Sequence, residues 1–513
     1  MLRLKGIHNP LLDHPGWRQG DTASIARNFA LLQSNILYPQ TNYNGPPPNY
    51  VELELQIVPF TAALLYKIFG VHEIFGRLIS IGFSLGTVAI VAYFGRWLFG
   101  SIIAGLAAAL LFAIMPGSFF YGRTFTPDTT MVFFLAAALY AIARYVVEDE
   151  GLSWRGLAAT TSLLTLAFLA KPVALAAYVP ILAMTVERAR NGRTMRWERL
   201  AVLYIVPFVL LYLYDRSVAA HAEWHWASAI TQLHVLPALK AAMTGSAAFL
   251  MKWAQFRQVL GMLSYTMLGP GCTALAILGL IFLPKTARSP WLLWGWLIGG
   301  VLYTYVVVTV ERVDYYMYLL LPLAALSGGA FIGRIADAVA VSTIPRAAKY
   351  AAALVAAIFL VAVVQQNRAI AKPYYAYKKS VYRNAIALDK TLKPNALIVM
   401  GHYDPSVLYY IGRYGWEEDP FLWTPFDEQS AIRKGARYFI DIEHNRFTRN
   451  VELCAWMQRF PVINRNAEWP VYETDPKLVK PNAEKEWREF RNAEKAGKAR
   501  EWLDTHGYCR TNP

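Results

Sequence analysis

Residues 121–147 read YGRTFTPDTTMVFFLAAALYAIARYVV. From Thr129 onward the side chains are almost all apolar, over a length close to the roughly 20 residues that a helix needs to cross a bilayer. Arg123, Pro127 and Asp128 precede this run and suit a short turn at the membrane surface. The stretch therefore predicts a membrane-spanning helix with ionisable groups at its start.

Similar apolar runs fill most of the chain between residues 78 and 366. The sequence of 513 residues is 56% hydrophobic and 17% charged, well below the roughly 25% charged residues of soluble domains. The other runs of spanning length lie near 78–95, 102–120, 199–215, 263–283, 291–308, 315–333 and 350–366. Lys171 and Pro172 interrupt a longer run, 156–186, which predicts two short helices that meet there. The sequence thus predicts an all-α polytopic membrane protein with about ten transmembrane helices.

The composition changes on both sides of this helical part. We predict a first extracytoplasmic loop with interfacial helices at 1–77, a transmembrane helical domain at 78–366 and an extracytoplasmic C-terminal domain at 367–513. Within the last, strand-like runs at 396–400 and 438–442 follow helical patterns. Such a pattern indicates a small α/β soluble domain.

The distribution of Lys and Arg between the loops predicts the orientation of the chain. One set of alternate loops carries 12 Lys and Arg residues in 51 positions, and the other carries 7 in 62. Because cytoplasmic loops are enriched in positive charge, the first set faces the cytoplasm. The same distribution accounts for the net charge of +15 without a nucleic-acid partner. The residues predicted to face outward are Asp21, Glu52, Glu54, Asp128, Lys171 and Arg312.

The N-terminal segment requires a separate explanation. The orientation places residues 1–77 outside, yet no apolar span precedes them. Either a leading helix is absent from this chain, or the segment is translocated by another route. Residues 57–70 are apolar but short, which indicates an interfacial helix; if they spanned the membrane, the N-terminus would be cytoplasmic. In the polar C-terminal part, Cys454 and Cys509 could form a disulfide, which the sequence leaves open.

Two acidic positions in the first loop are candidates for proton transfer. Asp21 precedes a helical pattern, so it can be an N-cap. At the outer face, its carboxylate could also take a proton from an incoming hydroxyl. Glu52 and Glu54 alternate with apolar residues and can form the solvated side of a strand. If they approach Asp21, they could orient it, raise its pKa or hold a divalent cation; no His or Cys spacing indicates a zinc site.

Later segments on the predicted outer face contain residues that can have either a structural or a functional role. Asp128 can complement a helix dipole or serve the reaction. Lys171 can extend its amine to the interface or bind a phosphate, and Arg312 is a second phosphate candidate. Tyr315 can be a membrane-boundary anchor or contact a substrate.

Several of these segments resemble a known family. The residues that carry the resemblance are Trp17-Arg18-Gln19-Gly20-Asp21-Thr22-Ala23, Ala26-Arg27-Asn28, Tyr50-Val51-Glu52, Gly76-Arg77-Leu78, Tyr121-Gly122-Arg123-Thr124, Pro127-Asp128, Lys171-Pro172 and Asp314-Tyr315-Tyr316. In this order they resemble the C-type fold (GT-C) of membrane glycosyltransferases, in the branch of dolichyl-phosphate-mannose protein mannosyltransferases and aminoarabinose transferase-like enzymes. The resemblance covers most of residues 14–366.

The resemblance implies a sugar transferase with a polyprenyl-phosphate-linked donor. The family's first-loop acid maps onto Asp21, and the acid of the next outer loop maps onto Asp128. The cationic contacts to donor phosphate would fall on Lys171 and Arg312. Two features depart from the pattern: this chain has Gly20-Asp21 where protein mannosyltransferases tend to show two adjacent acids, and the family's first transmembrane helix has no counterpart here.

These observations lead to one hypothesis, an inverting glycosyltransferase of a bacterial inner (plasma) membrane, active on the periplasmic face. The expected partners are a polyprenyl-phosphate sugar donor, a lipid, glycan or protein acceptor and membrane lipids, without nucleic acid. No metal ligands or certain cofactor are assigned, and a divalent cation is left open. The assigned residues are Asp21, Asp128 and Glu52 for catalysis, Lys171 and Arg312 for the donor phosphate, and Arg18, Arg27, Arg123 and Tyr315 for substrate binding. Alternatives are a transporter or flippase of a polar lipid and a non-catalytic assembly subunit.

Overall fold

The structure, a computed structural model, is mostly helical and describes residues 2–244, 246–284, 286–464 and 467–509. The first twelve helices are α1 (Gly16–Leu31), α2 (Ile57–Phe69), α3 (Glu73–Phe99), α4 (Ile102–Ile114), α5 (Pro116–Tyr121), α6 (Asp128–Val147), α7 (Trp154–Ala170), α8 (Tyr178–Arg190), α9 (Trp197–Ala219), α10 (Trp226–Ala229), α11 (Leu236–Thr244) and α12 (Ser246–Met262). The remaining helices are α13 (Pro270–Ile281), α14 (Pro290–Tyr303), α15 (Thr309–Glu311), α16 (Leu321–Val341), α17 (Arg346–Ala371), α18 (Lys379–Thr391), α19 (Pro405–Ile411), α20 (Pro425–Arg433), α21 (His444–Arg449), α22 (Val451–Met457), α23 (Ala483–Lys495) and α24 (Ala499–Thr505). The four strands are β1 (Leu397–Met400), β2 (Gly415–Glu417), β3 (Ala436–Ile440) and β4 (Val471–Glu473).

Seven helical stretches of the described chain are long and apolar enough to cross a membrane. They are Glu73–Phe99, Asp128–Val147, Pro172–Arg190, Trp197–Ala219, Pro290–Glu311, Asp314–Val341 and Arg346–Thr391. A bent pair, Trp253–Met267 with Pro270–Ile281, raises the number to eight if it counts as one span. The predicted class, a polytopic all-α membrane protein with a small α/β part, is confirmed. The number of helices of spanning length is lower than the predicted number of about ten.

Two predicted spans are interrupted. The run 102–120 is divided, because α4 ends at Ile114 and Pro116 begins α5. In the run 263–283 the chain bends by 111° at Gly269, whose φ of +80° is costly for residues with a side chain. By contrast, Lys171 and Pro172 separate two helices as predicted.

The chain divides into two compact units. The helical unit comprises Met1–His8, Leu32–Pro39 and Val51–Ala376, and the α/β unit comprises Asn9–Leu31, Gln40–Tyr50 and Tyr377–Pro513. The contacts of α1 therefore group it with the C-terminal part of the chain. This division differs from the sequence-based boundaries, which put α1 in a first loop at 1–77.

Small residues allow close packing in the helical unit. A Cβ atom added to Gly329 would lie 2.6 Å from the backbone oxygen of Ala104, and one added to Gly333 would lie 3.0 Å from the Cα of Ala104. The backbones of α4 and α16 are therefore nearly in contact. Small residues at such positions bring membrane helices close enough for extensive van der Waals contact.

The α/β unit is built around a four-stranded sheet in the order β2-β1-β3-β4. β1 runs parallel to β2 and β3, and β4 is antiparallel to β3. A disulfide joins Cys454 to Cys509, a pairing that the sequence had left open. On α1, Gly20 packs against the backbone of Ser406 at the start of α19. The carboxyl ends of β1 and β2 lead into acidic segments, which matter for the candidate site.

Candidate active site

Lys171 lies where Pro172 ends a helix. Its backbone is extended, and it separates α7 from the 3₁₀ turn Pro172–Ala177. A residue before proline is disfavoured in the helical conformation, so the local sequence explains this break. The side chain is buried and forms an ion pair with Asp128, with 2.5 Å between Lys171 Nζ and Asp128 Oδ1. The structure thus brings together two of the predicted site residues.

Asp128 is the first residue of α6, as its first-turn interpretation requires. Its side chain is fully buried, and its second oxygen, Oδ2, accepts no hydrogen bond from a residue that the structure describes. A carboxylate at a helix N-terminus is stabilised by the macrodipole. Asp128 therefore has two sources of stabilisation and one oxygen left for a further donor.

Two tyrosine rings complete the surroundings of Lys171. Its ammonium nitrogen lies 5.0 Å from the ring centre of Tyr315 and 4.3 Å from that of Tyr316, within cation–π range. The neighbouring Asp314 accepts a hydrogen bond from the Tyr121 hydroxyl at 2.6 Å and another from Tyr374. Tyr315, which was predicted to contact substrate, thus lies beside Lys171.

Arg312 differs from Lys171 in its surroundings. It is exposed, and its φ of +49° places it in the left-handed region at the turn between two membrane-spanning stretches. Its amide donates a 2.6 Å hydrogen bond to the carbonyl of Val308. No hydrogen bond or ion pair of its guanidinium is present within the described ranges. Arg312 is the more accessible of the two predicted phosphate contacts.

Arg123 occupies a buried structural position rather than an open one. Its guanidinium donates to the carbonyl of Gly6 at 3.1 Å and lies over the ring of Tyr375 at 4.6 Å. Arg77 donates to the same carbonyl at 2.7 Å. The predicted substrate role of Arg123 has no accessible surface to support it, because the side chain is 0% exposed. Together these arginines hold the N-terminal segment.

Glu52 is also buried, and its partners come from α9, through Asp215, and from the segment after α9. Its Oε2 accepts a 2.7 Å hydrogen bond from the Ser228 hydroxyl and lies 3.0 Å from His225 Nδ1. Its amide donates to the carbonyl of Trp224 at 2.8 Å. The interpretation of Glu52 as the solvated side of a strand is therefore wrong. Within the helical unit, its contacts anchor residues 224–228.

Asp21 lies inside α1, in the α/β unit. The helix begins at Gly16, so the N-cap interpretation of Asp21 is wrong. The Asp21 side chain is buried, and its Oδ1 accepts no hydrogen bond from any described residue. Its Oδ2 lies 3.9 Å from Arg18 Nη1, one helical turn earlier. A buried carboxylate with a free acceptor position can receive a proton from a bound molecule.

The charges around Asp21 place its titration near neutrality. Burial raises the pKa of Asp21 to about 7, because the charged form loses hydration. The Arg18 guanidinium opposes this shift, and the Asp404 carboxylate adds to it. Asp21 is thus present in both protonation states near pH 7, a condition suited to a general base.

The two arginines of α1 have different roles. Arg18 is half-buried and accompanies Asp21. Arg27 donates to the carbonyl of Tyr409 at 3.2 Å and lies over the same residue's ring at 4.3 Å. Arg27 thus packs on α19, and its substrate role stays a prediction. Arg18 lies beside the candidate base.

Comparisons with known proteins agree with this architecture. A family model described as dolichyl-phosphate-mannose-protein mannosyltransferase matches residues 56–215. The crystal structure of ArnT from Cupriavidus metallidurans bound to undecaprenyl phosphate superposes with a TM-score of 0.59 at 14% identity, covering 94% of this chain and 97% of that one. The chain therefore has the GT-C fold seen in this membrane glycosyltransferase. No curated protein sequence matches the chain.

A second GT-C structure shows the same likeness. The archaeal oligosaccharyltransferase AglB from Archaeoglobus fulgidus, in complex with an inhibitory peptide and a dolichol-phosphate, has a TM-score of 0.57 at 13% identity. The match covers 94% of this chain and 74% of that chain. The predicted family resemblance is thereby confirmed at the level of the fold. At these identities the likeness assigns no individual residue of this GT-C chain.

Sequence reasoning missed the acidic residues that accompany Asp21 in this GT-C chain. Asp404 follows β1 and caps α19, where its Oδ1 accepts from the amide of Ser406 at 2.9 Å. Glu417 ends β2, and burial together with Asp21 and Asp404 raises its pKa. Parallel strands place their carboxyl ends at one edge of a sheet. The position of Asp404, shortly after the predicted strand 396–400, was the signal that could have found it.

The described part of the GT-C chain offers no recognisable metal centre. None of its residues form a group of three or more His, Cys, Asp or Glu side chains suited to hold an ion. Glu52 directs its Oε2 to His225 and Ser228. The geometry therefore supports no particular set of metal ligands.

Proposed function

We propose that this chain transfers a sugar from a polyprenyl-phosphate donor to a lipid, glycan or protein acceptor, with inversion at the anomeric carbon. The observation that carries the proposal is the geometry of Asp21, a buried carboxylate with an unused acceptor oxygen, and burial raises its pKa to about 7. A group that is half ionised at neutral pH is suited to accept a proton from a hydroxyl. Asp21 is accordingly the proposed general base.

The donor class is supported by the ligands of the two similar structures. The ArnT structure contains undecaprenyl phosphate, and the AglB structure contains a dolichol-phosphate. In this chain, Lys171 and Arg312 are the proposed contacts of the donor phosphate. Lys171 already binds one anion, the carboxylate of Asp128. A phosphate would share the ammonium group with Asp128, and charge-assisted hydrogen bonds to it are strong.

The reaction follows from these roles. The acceptor oxygen attacks the anomeric carbon, its proton passes to Asp21, and a new glycosidic bond forms. The bond between the anomeric carbon and the phosphate oxygen breaks, and its electron pair leaves with polyprenyl phosphate. Attack opposite the leaving group inverts the configuration. The cationic residues stabilise the charge that develops on the phosphate.

Other predicted residues have supporting roles in this proposal. Asp128 orients Lys171, and Tyr315 covers its ammonium group. Glu52 positions the segment 224–228 through His225 and Ser228. The loop charges support an orientation in which the reaction faces the periplasm of a bacterial inner membrane.

A transfer assay tests the proposal. The purified full chain is incubated with a panel of labelled polyprenyl-phosphate sugars and membrane extract, and labelled products are separated. We expect one donor to yield product with wild type and none with Asp21→Asn. Asp504→Asn, the same change at an exposed position of α24, is the matched control and should retain full activity.

Two outcomes would contradict the proposal. Full turnover by folded Asp21→Asn would remove Asp21 as the base. No transfer from any polyprenyl-phosphate sugar by folded wild-type protein would reject the donor class. Parallel reactions with a chelator show whether a divalent cation is required, and an added metal salt should restore activity if it is.

A further inference from the structure

A cavity of about 380 Å³ opens at the end of the helical unit where α3 and α6 finish. This volume lies within the roughly 300–1,000 Å³ typical of small-molecule sites. Its lining combines arginines with aromatic rings: Tyr93, Arg96, Trp97, Gly100, Tyr140, Arg144 and Arg288. We refer to it as the arginine cavity.

One glutamate organises two of the three arginines. Glu148 Oε2 accepts from Arg144 Nε at 3.0 Å, and its Oε1 accepts from Arg288. The indole nitrogen of Trp97 donates to the same Oε1 at 2.6 Å. Arg288 also lies over the Trp97 ring, 5.7 Å from its centre. The carboxylate of Glu148 holds the guanidinium groups of Arg144 and Arg288 at the cavity. Its single negative charge balances only one of their two positive charges.

Arg96 adds a positive charge that the fold does not use. It is exposed on the last turn of α3, and within the described ranges no hydrogen bond or ion pair involves its side chain. Three arginines against one glutamate leave two net positive charges in the arginine cavity. An exposed guanidinium beside two fixed ones is suited to bidentate recognition of a phosphate.

The surroundings indicate a lipid rather than a soluble anion. Arg96 ends an apolar helix of spanning length, and Tyr93 and Leu85 on the same helix are 62% and 53% exposed. Such exposed apolar side chains on a membrane helix can contact acyl chains. Tyrosine at this depth is typical of the region of lipid headgroups.

The cavity is separate from the donor-phosphate residues. Arg144 follows Asp128 by 16 positions on α6, which corresponds to about 24 Å along a helix at 1.5 Å per residue. Arg96 and Arg288 also belong to residues 96–101 and 284–290, two of the segments that the charge distribution assigns to the cytoplasmic side. Within the helical unit, the arginine cavity therefore lies at the opposite end of α6 from Asp128.

We propose that the arginine cavity binds the headgroup phosphate of an anionic glycerophospholipid of the cytoplasmic leaflet. Arg96 and Arg288 contact the phosphate, Arg144 adds a further positive charge, and the exposed face of α3 accommodates an acyl chain. Basic pockets between membrane helices on the cytoplasmic side are known to suit anionic lipid headgroups.

Native mass spectrometry of the purified full chain tests this assignment. Phosphatidylglycerol and phosphatidylcholine with the same acyl chains are titrated separately, and bound lipid is counted. We expect phosphatidylglycerol to bind wild type at least about tenfold more tightly than phosphatidylcholine. Arg96→Gln with Arg288→Gln should weaken phosphatidylglycerol binding by about tenfold or more and leave phosphatidylcholine binding unchanged.

Controls separate the site from general charge effects and from misfolding. Arg155→Gln removes one exposed charge on the same predicted face without lining the cavity, so it should bind lipid as wild type does. Arg96→Gln alone removes no observed contact, so its folding should match that of wild type while its lipid affinity falls. Unchanged affinity in both arginine variants would overturn the proposal. Displacement of the lipid by millimolar inorganic phosphate would reassign the cavity to a soluble anion.

Discussion

Lys171 Nζ lies 2.5 Å from Asp128 Oδ1, and both side chains are buried. The two residues are 43 positions apart, one at the end of α7 and one at the start of α6. Two opposite charges in a buried environment depend on each other, because either one alone would remain without compensation. This pair therefore links the stability of the helical unit to the residues proposed for catalysis.

Neutralising Lys171 alone should destabilise the protein more than neutralising both Lys171 and Asp128. We expect Lys171→Met to reduce the free energy of unfolding by about 3–5 kcal/mol, because it leaves the Asp128 carboxylate uncompensated. The double variant Asp128→Asn with Lys171→Met should recover a large part of that loss. Thermal unfolding in detergent measures both, and additive losses would contradict the pairing. Transfer activity should be lost in the single and double variants.

The activity of the chain should follow the ionisation of Asp21. Its pKa is raised to about 7 by burial, and a general base must be ionised to act. We therefore expect kcat/KM to rise as the pH increases through about 7 and then to level off. A profile measured with saturating and limiting donor checks this, and a flat profile between about pH 5 and 9 would contradict it.

Two substitutions should move this profile in opposite directions. Arg18 lowers the pKa of Asp21 and Asp404 raises it. Arg18→Gln should therefore shift the rising limb to higher pH, and Asp404→Asn should shift it to lower pH. Asparagine is also a good N-cap, so Asp404→Asn should preserve the start of α19. If the rising part of the kcat/KM profile had the same midpoint pH in wild type and both variants, a group other than Asp21 would be responsible for it.

The contribution of Asp21 to stability should fall as the pH rises, whereas activity should rise. In the folded protein the pKa of Asp21 is raised above the ordinary aspartate value of 3.8, so folding favours the protonated form. The associated stabilisation is present below the unfolded value and is lost as the pH rises through about 7. We expect Asp21→Asn to raise the unfolding temperature more at about pH 8 than at about pH 5. A larger effect at the lower pH would contradict burial as the cause.

Gly20 should tolerate no side chain. A Cβ atom at this position would lie 2.4 Å from the Cα of Ser406, and a backbone atom cannot move aside at small cost. We expect Gly20→Ala to destabilise the α/β unit by about 1–3 kcal/mol. Gly82→Ala is the matched control, because nothing lies within 4 Å of the added atom. Thermal unfolding should show little change or a slight gain for the control.

The disulfide should contribute measurably to the α/β unit. It joins Cys454 and Cys509 over a separation of 55 residues, and removal of a native disulfide typically costs about 2–5 kcal/mol. Cys454→Ser should lower the unfolding temperature to a similar extent as reduction of the wild type does. Before reduction, only Cys272 should react with a maleimide after denaturation. Reaction of three thiols in the unreduced protein would contradict the disulfide.

Several parts of this description were predictable from local sequence. Apolar runs identified the membrane-spanning stretches, because each must bury its backbone polar groups within one helix. Pro172 marked the break at Lys171, and short apolar runs marked β1 and β3. The number of spanning helices was overestimated, because the prediction did not treat Pro116 and Gly269 as interruptions of the runs 102–120 and 263–283.

The roles of the charged residues were harder to predict. Arg27 and Arg123 suggested substrate contacts by type and position, but in the fold they pack against Tyr409 and Gly6. Glu52 suggested an exposed strand face, but it is buried beside His225. A side chain's partners depend on segments distant in sequence, and local patterns contain no information about them.

The sequence by itself determined that this chain is a polytopic helical membrane protein with an α/β part and charged residues at the ends of its spans. Hydrophobic runs and turn residues act locally, so they can be read without a structure. Only the tertiary structure decided that Lys171 pairs with Asp128, that α1 groups with the α/β unit and that Asp21 is buried beside Arg18. Burial and pairing arise from contacts across long sequence separations, and they determine which of the charged residues can act in chemistry.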